Sequence, residues 1–283
     1  MRLRLWLAPL SAALCLWLAG PIGAAEQPTC AGKPATIVSD APRFVGTGAH
    51  DVILAGPSAN VIEGRGGNDT ICGGGGADRI SGGQGNDWIY GGGGNDRISG
   101  DRGNDHLWGG IGDDIVNEAL GDGWAYGGPG DDFLLGARGI DLLDGGGGDD
   151  RLDGGIGFDT LLGGEDRDLL IPSKGQDVID GGPGRDTVSY AQEPAGVVVD
   201  LGLSESLLSW GRDRIAAIEN IVGTRFADRL RGDSRSNRIA GLGGDDVLSG
   251  HRGDDVLIGG AGQDTCVGGA GSDEVFTCER PRD

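Results

Sequence analysis

From residue 46 onward, an apolar residue recurs every nine positions. One column runs Ile53, Ile62, Ile71, Ile80, Ile89, Ile98, Leu107 and Val116, and continues to Val188. A second runs from Leu230 to Val275, and only Ala125 and Cys266 depart from Ile, Leu or Val. Nine is neither the 3.6 period of a helix face nor the alternation of a long strand. Glycines lie between successive apolar residues, so each apolar residue predicts a short strand with one side chain inward and its neighbours outward. Two strands and two turns make an 18-residue coil. Stacked coils give two parallel sheets back to back, with strands about 4.8 Å apart. The fold class is all-β, a parallel β-solenoid.

The unit is clearest at Gly64-Arg65-Gly66-Gly67-Asn68-Asp69-Thr70-Ile71-Cys72, taken here as positions 1 to 9. Sixteen such units fill residues 46–189 without insertion, and six more fill 223–276. Position 6 is Asp51, Asp69, Asp78, Asp87, Asp96, Asp105, Asp114, Asp132, Asp141, Asp150, Asp159, Asp168, Asp177, Asp186, Asp228, Asp246, Asp255, Asp264 and Asp273. Asn60 and Asn237 keep an oxygen there, and Gly123 has none. Both arrays begin alike, with Gly46-Thr47 leading to Asp51 and Asn60, and Gly223-Thr224 leading to Asp228 and Asn237. Aspartates 18 apart stack along one edge of the solenoid, and the intervening ones along the other. Such carboxylates repel one another unless a cation neutralises them. Several hard oxygen ligands on flexible turns select Ca²⁺ over Mg²⁺.

Composition points the same way. The chain has 61 Gly in 283 residues, and Asp+Glu 44 against Lys+Arg 23 gives a net charge of −21. That balance excludes a nucleic-acid binder, which needs a basic face. So much glycine also excludes a helical bundle or an ordinary α/β core. Counting gaps between neighbouring Asp residues allows about 16 divalent ions at most, and about a dozen would cancel the charge.

The nonamer matches the calcium-binding pattern G-G-x-G-x-D-x-U-x. The sequence resembles the haemolysin-type (RTX) calcium-binding repeat family over about 70% of its length. The resemblance implies a right-handed parallel β-roll with Ca²⁺ between turns of adjacent coils, held by position-6 side chains and turn carbonyls. In relatives such repeats follow a catalytic or toxic domain. Here residues 26–45, 190–222 and 277–283 leave no room for one, so the resemblance carries over no enzymatic activity. Residues 190–222 look like the linking coil between arrays, with 197–201 a strand and 204–212 a loop.

The N-terminus reads as a signal peptide over residues 1–25: Arg2 and Arg4, an apolar run over 5–20, then Gly23-Ala24-Ala25. Extracellular export is the expectation, with no other segment long enough to span a bilayer. Cleavage would remove Cys15 and leave Cys30, Cys72, Cys266 and Cys278, an even set that suggests two disulfides. Three pairings are open. Cys30–Cys72 and Cys266–Cys278, one near each end, is favoured. Residues 26–45 and 277–283 would then cap the stack.

Outward positions also form ladders. Trp88, His106 and Trp124 are 18 apart at position 7, and Tyr90, Trp108 and Tyr126 at position 9. They predict one aromatic patch. It either stabilises by cross-strand stacking, offers a platform for polysaccharide or a cell-surface protein, or receives residues 26–45. Gly123, beside Trp124, reads as a local defect in the ligand ladder. Arg231-Gly232-Asp233 and Arg252-Gly253-Asp254 follow from the repeat frame. No catalytic motif appears, and His50, His106 and His251 fall in separate coils. An ice-binding face would want a regular Thr or Asn ladder at position 3, which instead reads Gly66, Gly75, Gln84, Gly93, Arg102, Ile111.

Overall fold

The computed structural model describes residues 28–208 and 211–279. The expected signal peptide and residues 280–283 lie outside them. Every regular element described is a strand. A thirteen-stranded sheet runs from Arg43–Val45 to Glu274–Phe276, and a fifteen-stranded sheet from Ile37–Ser39 to Thr265–Ala270. Within the arrays each strand pairs in parallel with the strand 18 residues on, as in Ile80 beside Ile98 and Ile89 beside Leu107. The chain is thus a parallel β-roll whose two sheets alternate along the sequence.

The position-8 side chains fill the space between the sheets, and the column from Ile53 to Leu257 is almost completely buried. Deleting a methylene there would leave a void that stacked backbones cannot close. The strands are longer than three residues in many coils. Trp88–Gly93 and His106–Ile111 extend through positions 1 to 3 of the next nonamer, where Gly92 and Gly110 pair directly. The turn that follows needs a left-handed backbone at positions 2 and 4. Gly92 and Gly94 both have φ +112. Arg65, Asp101, Leu242 and His251 adopt the same region at position 2 despite their Cβ.

The first coil lies ahead of residue 46. Ile37–Ser39 pairs with Val52–Ala55, and Arg43–Val45 with Val61–Gly66. Before it, Thr29–Cys30 and Lys33–Pro34 form a small antiparallel hairpin. Disulfides join Cys30 to Cys72 and Cys266 to Cys278. The first seats the hairpin on the outer face of the fifteen-stranded sheet, burying Cys30, Cys72 and Thr70. The second ties the chain end across the last coils, where Val275 and Phe276 stay exposed.

Between the arrays the two sheets behave differently. In the thirteen-stranded sheet, Thr187–Ser189 pairs directly with Asn220–Val222. In the other, Val198–Asp200 and Glu205–Leu207 insert as an antiparallel pair between Arg214–Ala216 and Arg229–Arg231. The strand Glu205–Leu207 lies where the sequence predicts only loop. Ser206 stabilises it: its side chain is buried and its hydroxyl donates to Asp213 Oδ2 at 2.8 Å. Tyr190, Val197, Val199, Leu201 and Ile215 fill the core beneath.

Candidate metal centres

Each position-6 aspartate sits where the chain re-enters a strand, and the pleat turns its side chain inward. All but the last are buried. Their two oxygens have different fates. Oδ1 accepts the backbone N–H of the residue 18 earlier: Asp51 donates to Asp69 at 2.8 Å, Asp69 to Asp87 at 2.8 Å, and Asp78 to Asp96 at 2.7 Å. The same bond recurs through Asp159 to Asp177 and Asp168 to Asp186, and again from Asp228 to Asp246 and Asp255 to Asp273. Coil is bolted to coil by side chains as well as by the sheets.

Oδ2 is the chemically open atom. In sixteen of these aspartates it is buried without a hydrogen-bond partner. In most of them it points toward the position-1 glycine of its own turn and a main-chain carbonyl of the next coil. A Cβ placed on Gly64 would lie 2.6 Å from Asp69 Oδ2 and 2.5 Å from the Gly82 carbonyl, and on Gly73 it would be 2.5 Å from both Asp78 Oδ2 and the Gly91 carbonyl. Glycine is required there because oxygens crowd the space a side chain would take.

Burying an ionised oxygen with no partner costs several kcal/mol. Burial therefore pushes the carboxyls up. Asp96, Asp105, Asp132, Asp141, Asp168 and Asp186 rise to about 6. Asp78, Asp87, Asp114, Asp159 and Asp246 rise to about 7, and Asp150 and Asp177 to about 8. Desolvation is the main cause, and backbone hydrogen bonds oppose it. A proton or a cation must complete these sites. The donor set, one hard carboxylate oxygen beside turn carbonyls, fits Ca²⁺. Among the described residues no three His, Cys, Asp or Glu side chains converge on one point, so carbonyls would supply the rest of a shell.

The starter coils are different. Asp51 Oδ2 accepts the Thr47 N–H at 2.6 Å and its hydroxyl at 2.9 Å. Asp228 Oδ2 accepts the Thr224 N–H at 2.6 Å, and the Thr224 hydroxyl donates to Oδ1 at 3.0 Å. Asn60 and Asn237 spend their amides on the carbonyls of Ala41 and Glu219. The side-chain oxygens of Asp51, Asp228 and Asn237 thus have protein partners already, Asn237 Oδ1 accepting the Asp233 N–H at 2.9 Å, whereas Asn60 Oδ1 is buried without one. Asp273, at the open end, is only half-buried.

Two ladder members escape the repeat count. Asp177 N–H donates to Asp213 Oδ1 at 3.0 Å, and Asp186 N–H to Glu219 Oε2 at 2.9 Å. Both lie in the linking segment and extend the two columns one step into it. The signal was present: Gly211, Asp213 and Ile215 keep positions 4, 6 and 8 of the original frame, and Glu219 precedes Ile221 by the usual two residues. Asp213 also accepts the hydroxyls of Tyr190 and Ser206, at 3.0 and 2.8 Å. A third missed residue is Glu118, whose carboxylate occupies the space opposite Gly123.

The family model described as the RTX calcium-binding nonapeptide repeat, of the haemolysin-type calcium-binding family, matches residues 45–80, 73–107, 81–116, 126–161, 153–188, 222–257 and 241–275. These segments cover more than half of the chain. The chain belongs to this family. No curated protein matches it. Between residues 45 and 275 the matched segments leave out 117–125, where Gly123 interrupts the aspartate column, and 189–221, the segment linking the two arrays of this RTX chain.

The aromatic residues of this RTX roll do form one patch. Trp88 stacks on His106 with centroids 4.6 Å apart, and Trp108 lies between Tyr90 at 4.6 Å and Tyr126 at 5.6 Å, nearly parallel to both. His106 meets Trp124 at 4.5 Å, tilted by 52°. The rings therefore spend their faces on one another and turn edges outward. The hairpin borders the patch: Lys33 Nζ lies 5.9 Å from the Trp88 ring and donates to Thr70 Oγ1 at 2.9 Å. No helix among the described residues is long and apolar enough to cross a membrane.

Proposed function

We propose that this protein is a secreted, non-catalytic calcium-binding roll that folds as it takes up many Ca²⁺ ions. The observation that carries the reading is the set of sixteen buried aspartate Oδ2 atoms with no partner, most of them directed into a glycine turn that also presents a main-chain carbonyl. Those oxygens oppose folding when ionised and bare, and favour it when a divalent ion joins them. Export is supported by the basic-then-apolar N-terminus and by two disulfides, which persist in oxidising compartments. Low calcium inside a cell would keep the chain expanded, and higher calcium outside would complete the roll.

Calorimetric titration of the metal-free protein with Ca²⁺, with circular dichroism followed in parallel, tests this. Heat from many ions with a concerted gain of β signal is expected. A full β spectrum without metal at pH 7.5, or no heat, overturns it. An adhesin that grips polysaccharide or protein through the aromatic face is the second reading. It has the half-exposed edges of Trp88 and Trp124 in its favour, and the mutual stacking of the ring faces against it.

A further inference from the structure

Gly123 breaks the aspartate column between Asp105 and Asp141, and on sequence it reads as a lost ligand. The structure fills the gap from the other side of the turn. Position 1 is Gly in every nonamer of both arrays except at Ala55, Glu118 and Pro172, and only Glu118 carries a carboxylate. Elsewhere that glycine makes room for the Oδ2 of the aspartate five residues on, as Gly136 does for Asp141 Oδ2 at 2.7 Å. In the coil starting at 118 the roles are exchanged. The nearest atom to a Cβ built on Gly123 is Glu118 Oε2, followed by the Glu118 carboxyl carbon. One space can hold a side chain from position 1 or from position 6, not from both. Here it comes from position 1.

The Glu118 side chain is 1% exposed, and neither of its oxygens has a hydrogen-bond partner. A regular aspartate spends Oδ1 on the preceding coil and leaves one oxygen open. Glu118 leaves two. An acid buried for packing alone would be expected to find a donor. Nothing around Glu118 donates, while the charges of Asp105 and Asp141 lie above and below it in the column.

We infer that Glu118 is a metal-ligating residue that replaces the aspartate missing at 123, so the ladder of divalent-cation sites runs unbroken through this coil. The inference rests on the calcium reading above and adds a ligand that the repeat pattern does not mark. Glu118 and Gly123 form a linked pair. Aspartate at 123 is compatible with glycine at 118, and glutamate at 118 with glycine at 123.

The test counts Ca²⁺ bound to the full chain at saturation, by equilibrium dialysis, for the wild type, Glu118→Gln, Glu118→Gly and the exchange variant Glu118→Gly/Gly123→Asp. Glu118→Gln and Glu118→Gly are expected to bind at least one ion fewer than the wild type. The exchange variant, which restores the regular nonamer, is expected to return to the wild-type count. Should Glu118→Gln fold poorly, the comparison of Glu118→Gly with the exchange variant still decides. A wild-type count in a folded Glu118→Gln protein, or no recovery in the exchange variant, overturns the inference. Absence of calcium binding by the wild type would instead overturn the proposed function.

Discussion

Removing calcium while varying pH separates the forces that hold the roll. Thirteen buried aspartates have carboxyls pushed from 3.8 to between about 6 and about 8. Keeping a carboxyl ionised when its folded value has risen from 3.8 to about 7 costs ~4 kcal/mol. Over the ladder the cost reaches several tens of kcal/mol. Halved for solvent screening, it still exceeds the ~5–15 kcal/mol by which ordinary domains are stable. A bare, fully ionised roll is therefore not viable. The sign is unusual for acidic residues. Folded values above the unfolded one favour the metal-free roll when the groups are protonated. That stabilisation is complete below about pH 4 and is lost as pH rises through about 6 to about 8. Circular dichroism on metal-free protein from pH 4.5 to 8.5 should show β structure appearing on acidification. With saturating Ca²⁺ the trend reverses, because acid releases the ions. Molar NaCl, with a Debye length of about 3 Å, screens surface charge but leaves the buried oxygens unpartnered, so it should not replace calcium at pH 7.5. A metal-free roll that is fully formed at pH 7.5 would refute the reasoning.

Other outcomes follow from the packing. Leu143→Ala removes a fully buried side chain between sheets that cannot close the void, and should cost ~2–5 kcal/mol in chemical denaturation of the calcium-loaded protein. Trp108→Ala removes the ring stacked between Tyr90 and Tyr126, and should destabilise by ~2 kcal/mol in the same assay whether or not polysaccharide is present. If it instead abolishes polysaccharide binding at unchanged stability, the face is a platform. Thr224→Val removes a hydroxyl bonded to Asp228 and should cost ~1 kcal/mol while leaving the number of bound ions unchanged; a lower count would make Asp228 a ligand.

The solenoid was readable because one residue in nine is apolar and another in nine is Asp, and both columns survive as physical columns at 18-residue register. The frame also placed the aromatic patch. What it did not reveal was how individual oxygens are satisfied. Asp51 and Asp228 look like every other position-6 acid, yet threonine four residues earlier completes them, a difference that only hydrogen-bond geometry exposes. Glu118 was hidden for a related reason: a column scan compares like positions, and this carboxylate reaches the column from another one. Asp213 and Glu219 lay in a segment whose lost glycines mask a preserved spacing. The antiparallel insertion escaped because three residues, Glu205–Leu207, are too few to show alternation.

The side-chain bonds between coils run both ways. Position-6 aspartates accept from the coil on their N-terminal side, as Asp87 does from Asp69, whereas position-5 side chains accept from the coil that follows, as Asn68 does from Asn86 and Asp131 from Asp149. A coil's position-6 amide is therefore satisfied only by the next coil, and its position-5 amide only by the coil before. Either end of a partly formed roll thus offers the incoming coil both a free amide and a free side-chain oxygen, so layers can be added from both ends with the same pair of bonds.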